Sequence, residues 1–144
     1  MKTAWLIVPI VMAALAATTA QTQTTTMIAE TPSGAVQSEA QVGAGVFYQA
    51  CGLCHDDSEH MLNDNGPALF GVVGRRVGSV EGYDYSPALR KANRKGHVWT
   101  EARLDTFLAG PQHMYTGTNM PMMFNDPKVR HALIAYLKTL TPKL

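Results

Sequence analysis

"ACGLCHDD", Ala50 to Asp57, holds both cysteines of the 144-residue chain, with a histidine directly after the second. Three chemistries use cysteines spaced in this way: a redox dithiol, a zinc clamp and a covalent haem anchor. The residues around the motif choose among them, and that choice carries the fold.

A redox dithiol of the thioredoxin kind follows a strand inside a βαβ unit. Here the residues before Cys51 read as a helix running from about Ser38 into the motif, with Val42, Val46 and Phe47 able to share a face. No parallel strands are signalled after it. Structural zinc takes four ligands, commonly from two separated pairs. The chain has no second cysteine pair, and His60, His97, His113 and His131 are scattered singly. Adjacent Cys54 and His55 would also project in divergent directions, awkward for one tetrahedral ion.

The third reading, C-x-x-C-H, has a mechanical logic. Cys51 and Cys54, three apart on a helical turn, can both reach the vinyl groups on one edge of a porphyrin and form thioethers. His55 is then turned under the macrocycle with a ring nitrogen toward the iron. Both cysteines are consumed, which fits a chain that has no others.

Upstream, "MKTAWLIVPIVMAALAATTAQ" has one lysine, an apolar run from Ala4 to about Ala17, and small residues at Ala16 to Ala20. Residues 1–20 are expected to be a cleavable signal peptide, and Pro9 and the small-residue exit favour cleavage. The alternative is a retained anchor, since roughly 17 apolar residues is the short limit for spanning a bilayer. Residues 21–38, rich in Thr and Gln, are expected to form a flexible lead because they bury too little to offset ordering entropy. The folded domain is then 39–144. Without Lys2, 11 basic residues face 11 acidic ones, which gives no footprint for nucleic acid or an anionic membrane. The basic cluster Arg90 to Lys95 reads as a solvated helix face.

Downstream the signals are helical. Ser86 can cap a helix that starts at Pro87. "TEARLDTFLAGP" starts at Thr100, stacks Leu104, Phe107 and Leu108, and is stopped by Gly110 and Pro111. A last helix follows the Asp126 cap, with an apolar stripe of Val129, Leu133, Tyr136, Leu137 and Leu140. Long turns with glycines at 66, 71, 74, 78, 82 and 117 separate these helices. The fold class is expected to be all-α, a shell of helices and irregular loops wrapped around one covalently bound group.

A second iron ligand has several candidates: Met114, Met120, Met122, Met123 and the spare histidines. "YTGTNMPMMF" is a loop punctuated by Gly and Pro, where clustered thioethers need a partner to be buried.

"GTNM" is similar to the methionine-bearing loop of class I cytochromes c, and other matches follow in the same order. Gly43 and Phe47 precede the cysteines as in that family's first helix. "GPALFGVVGRR" resembles the turn behind the histidine ligand. "GYDYSPA" and Trp99 resemble the segments around the haem propionates, and "LIAYL" the last helix. The resemblance runs from Gly43 to Leu140. It implies one haem c, covalent through Cys51 and Cys54, with His55 and Met120 as iron ligands. It also implies that the Pro67 carbonyl orients His55, that Arg75, Tyr85 and Trp99 hold or neutralise the propionates, and that Gly43 and Phe47 cross against Leu133 and Tyr136.

The chain departs from the family in places. The lysines that ring the haem edge in mitochondrial relatives are replaced by Ala44, Ala50, Gln112, His113 and Asn119. Thr116 stands where a proline is usual, Pro121-Met122-Met123 is an unusual continuation, and Leu89 to Gly96 is a few residues longer.

With nitrogen and sulfur both on the iron, no site is open for substrate. The implied function is therefore not enzymatic: a monomeric, periplasmic monohaem electron carrier between respiratory or photosynthetic-type redox partners, either membrane-bound complexes or periplasmic enzymes. The competing readings are a haem-based sensor with a displaceable methionine, and a peroxidase. The second needs an acid–base residue over an open iron, for which His113 is the nearby candidate.

Overall fold

The computed structural model describes residues 37–142. The expected signal peptide and all but the last two residues of the expected lead lie outside the described residues. Among the described residues, five α-helices, one π-helical turn and one isolated bridge account for the regular structure. The fold is all-α.

Helix α1, Glu39–Val46, starts from a capping box. Gln41 N–H donates to Ser38 Oγ at 3.3 Å, and Ser38 N–H donates to Gln41 Oε1 at 2.8 Å. Each side chain thus satisfies an orphan amide of the first turn. The expected helix into the cysteines is present, but it does not stay α. A π-helical turn spans Phe47–Cys51, closed by Gly52 N–H to the Phe47 carbonyl at 2.8 Å. Such widened turns concentrate at functional sites, and this one carries Cys51.

Helix α5, Pro127–Thr139, crosses α1 in the most extensive helix contact of the domain. Phe47 and Leu133 are each 1 % exposed at this crossing, and the Phe47 and Tyr136 rings lie 5.3 Å apart. A Cβ on Gly43 would overlap the Ala132 backbone carbonyl and press on Tyr136 Cβ at 2.9 Å. Gly43→Ala should therefore cost about 3 kcal/mol, the upper end for overpacking, because backbone is the obstacle. Denaturant unfolding of the haem-loaded protein measures it. The Tyr136 hydroxyl donates to the Asp57 carboxylate and sits 3.1 Å from Tyr48 Oη, which ties α5 to the segment after the cysteines.

Helix α2, Pro87–Arg94, begins as expected with Ser86 Oγ accepting from Leu89 N–H, and its basic residues are exposed. Helix α3, Glu101–Ala109, is capped by Thr100, whose Oγ1 accepts from Arg103 N–H at 3.1 Å. Pro111 does more than end α3: it opens the short helix α4, Pro111–Met114, at the head of the methionine loop.

Helix α5 also buries Arg130, a residue outside the apolar stripe. Its Nε meets Asp105 Oδ1 on α3 at 2.7 Å, and its Nη1 donates to the Phe124 and Asn125 carbonyls. Paired and hydrogen-bonded, the guanidinium tolerates burial. It fixes the end of the methionine loop against both helices.

The long segment between residues 56 and 86 is held by stitches. Gly66 N–H donates to the Cys54 carbonyl at 2.7 Å, and Leu69 N–H to the Asp56 carbonyl at 2.8 Å. Further along, Gly74 N–H donates to the Trp99 carbonyl, and Trp99 N–H to the Arg75 carbonyl, each at 2.8 Å. These bonds put Pro67 beside His55, and Arg75 beside Trp99.

Candidate functional site

One cavity of about 310 Å³ collects the chemistry. Every sequence-predicted site residue lines it: Cys51, Cys54, His55, Pro67, Arg75, Tyr85, Trp99 and Met120. Its remaining wall is largely apolar, with Phe47 from the π-turn, Leu104 and Phe107 from α3, and Leu133 and Leu137 from α5. The apolar faces of the separate helices thus converge on this space.

The two stitches from the motif hold the Pro67 carbonyl 2.7 Å from His55 Nδ1. A carbonyl only accepts, so Nδ1 carries the proton and Nε2 is left as a bare lone pair. Burial pushes the imidazole below its ordinary value, with the Pro67 bond working against that shift. The ring is therefore neutral and oriented, as a metal-binding histidine must be.

Gly66 is a further site residue, which sequence reading placed only in a turn. A Cβ there would fall on the His55 ring, 2.5 Å from Nδ1. Gly66→Ala should displace the ring from Pro67 and cost about 1–3 kcal/mol by overpacking. A changed axial-histidine NMR signature, together with lower unfolding stability, is the expected observation.

Cys51 is not poised as a redox nucleophile. Burial, reinforced by the neighbouring Cys54, pushes the Cys51 thiol up from 9.0 to about 11. Reactive dithiols run the other way, toward an easily formed thiolate. Among the described residues, no group of three or more His, Cys, Asp or Glu is arranged to hold a metal ion.

Of the four candidate methionines, Met120 and Met122 line the cavity, whereas Met114 and Met123 do not. Met122 is 40 % exposed. None of His60, His97, His113 and His131 is among the lining residues. His97 Nδ1 instead lies 2.9 Å from the Tyr115 hydroxyl.

The polar groups of the wall also fit a haem. Arg75 donates to the Ala68 and Phe70 carbonyls at 2.6 and 2.8 Å, and no ion pair to it is formed among the described residues. Burial lowers its pKa by disfavouring the charged guanidinium, a cost that an anionic group beside it would offset. Its neighbour Arg76 is exposed and does not line the cavity. Tyr85, 8 % exposed, accepts from Val80 N–H at 3.3 Å. Thr118 is 4 % exposed, lines the same wall, and its Oγ1 is buried without a partner. An orphaned hydroxyl of this kind calls for an acceptor or donor in the cavity. Thr118 was visible in the sequence only as part of "GTNM"; nothing local announces that its hydroxyl is buried. Tyr83 joins it on the wall, donating to the Asn65 carbonyl at 2.8 Å.

No family model matches the chain. Individual proteins do. Cytochrome c-550 of Ancylobacter novellus is 42 % identical over 98 residues, covering 67 % of this chain and 91 % of that protein. The structure of cytochrome cH from Methylobacterium extorquens aligns with a TM-score of 0.62 at 38 % identity, over 71 % of this chain and 99 % of that one. Ferricytochrome c2 from Rhodopseudomonas palustris aligns with a TM-score of 0.65 at 32 % identity, over 72 % and 99 %. With two cysteines and a histidine lining one apolar cavity, and with relatives of this similarity, the chain belongs to the class I c-type cytochromes, monohaem electron carriers with one covalent haem c.

Proposed function

We propose that the protein is exported to the periplasm, loses residues 1–20, and carries single electrons between redox partners as a monomer. In this reading His55 and Met120 would hold the iron, and Cys51 and Cys54 would be the covalent anchors. The observation that supports it most is the convergence of both thiols, a neutral oriented imidazole and a thioether on one apolar cavity.

When bound, the haem supplies reversible one-electron exchange between ferrous and ferric iron. The chain supplies the setting. The Pro67 carbonyl holds His55 Nδ1–H and raises the basicity of the opposite nitrogen. A thioether is a soft, weak donor, so Met120 would favour the ferrous state, and the apolar wall, by excluding water, would do the same. Arg75, Tyr85, Trp99 and Thr118 would offer charge and hydrogen bonds to the propionates. Held by both His55 and Met120, the iron would serve electron exchange and would not take up substrate. No helix among the described residues is long and apolar enough to cross a membrane.

The visible spectrum of the exported protein, taken with and without carbon monoxide, tests the reading. A low-spin ferrous spectrum indifferent to the gas at neutral pH is expected. Rapid gas binding would instead establish a sensor with a displaceable methionine. Intact mass of the same sample should show one added haem and the loss of the signal peptide.

A further inference from the structure

Two stretches of chain meet at the cavity, and neither contains a formal charge. From Ala40 to His55, and again from Ala109 to Asn125, there is no Asp, Glu, Lys or Arg, although such residues make up 16 % of the chain. Ala50, Cys51 and Cys54 of the first stretch and Asn119, Met120 and Met122 of the second line the cavity. Arg75 is the one formally charged residue among those lining the cavity, and it is held by the Ala68 and Phe70 carbonyls. Arg90, Lys91, Arg94 and Lys95 lie on and just after α2, and the exposed Lys138–Glu101 pair lies between α5 and α3.

The same two stretches hold five of the seven large hydrophobic side chains that are exposed among the described residues. Leu53, between the two cysteines, is 69 % exposed; Met122 and Met123, just after the methionine ligand, are 40 % and 48 % exposed. Scattered apolar residues on a surface need no explanation. Apolar residues concentrated in two uncharged stretches, next to residues that line the cavity, do.

We propose that this rim, centred on Leu53, Met122 and Met123, docks against an apolar, uncharged patch of a partner redox protein. The proposal rests on the electron-carrier reading and names the chemistry of the partner. A rim without ions gains nothing from an acidic or basic partner, and a charged partner surface would lose hydration against it. Thioether side chains adapt to more than one apolar shape. Stable complexes bury about 800 Å² on each partner, far more than three side chains offer. The encounter is therefore brief, as a shuttle requires, and the rim is too small to hold a second copy of this chain.

The test uses the haem-loaded protein on gold electrodes coated with equal-length alkanethiols ending in methyl, carboxylate or ammonium groups. The interfacial electron-transfer rate is read at about 0.01 and about 0.15 M salt, across which the screening length falls from roughly 30 to roughly 8 Å. The native protein should exchange fastest on the methyl film, with a rate that changes less than about twofold with salt. Leu53→Lys/Met123→Lys should exchange about tenfold more slowly on methyl and gain a salt-sensitive response on carboxylate. Leu53→Asn/Met123→Gln should weaken the methyl response without creating salt dependence. Retained visible spectra show that each variant is folded.

Faster native exchange on carboxylate or ammonium, falling with salt, would overturn the proposal. So would lysine variants that behave like the native protein, or a native dimer in sedimentation that the same substitutions dissolve. A colourless protein with no wave on any film would overturn the carrier reading itself, and this proposal with it.

Discussion

Met120→Ala should abolish the far-red sulfur-to-iron absorption band and lower the reduction potential by on the order of 0.2 V, within the roughly 0.8 V that axial ligands span. The sign follows from the ligand: a thioether favours ferrous iron, and its loss removes that preference. The variant should also bind carbon monoxide at neutral pH, because a coordination position opens. Met122→Ala is the decisive control. Both sulfurs belong to residues that line the cavity, so the two variants together settle which one ligates. Loss of the band in Met122→Ala with retention in Met120→Ala would reverse the assignment.

The second large effect concerns the thiols. Cys51→Ser/Cys54→Ser should leave the exported chain colourless and mostly unfolded, read by intact mass and far-ultraviolet circular dichroism. The reason lies in the wall. Phe47, Trp99, Leu104, Phe107, Leu108, Leu133 and Leu137 all line the cavity. Leaving a cavity empty costs about 24 cal/mol per Å³, so a cavity of about 310 Å³ would forfeit roughly 7 kcal/mol of a typical 5–15 kcal/mol stability. A domain this small has few other apolar contacts to compensate. A double variant that keeps native helix content would show that the chain folds around its own core without the covalent group.

Much of the architecture was legible from local chemistry. Ser38, Ser86, Thr100 and Asp126 each cap a helix in the structure. A cap acts within its own first turn, so three or four adjacent residues suffice to read it. The C-x-x-C-H spacing is equally local. The long stretches of backbone without helix were also foreseeable from their glycines, although the bonds that fix them were not.

What escaped sequence reading was decided between distant residues. Arg75 and Arg76 are adjacent, and either could have faced the cavity; the bonds from residues 74–76 to Trp99 and its neighbour Val98 turn Arg75 inward and leave Arg76 outside. Arg130 interrupts an apolar helix, and Asp105, 25 positions away, together with the Phe124 and Asn125 carbonyls makes its burial tolerable. Gly66 and Thr118 matter because of where the His55 ring and the cavity wall happen to pass.

By itself the sequence determined the anchor motif, the helix starts and the all-α class, since each depends on residues within a turn or two of one another. The tertiary structure alone decided which side chains share the cavity, which arginine faces it and where the uncharged rim lies. Those depend on packing between segments tens of residues apart, for which no local signal exists.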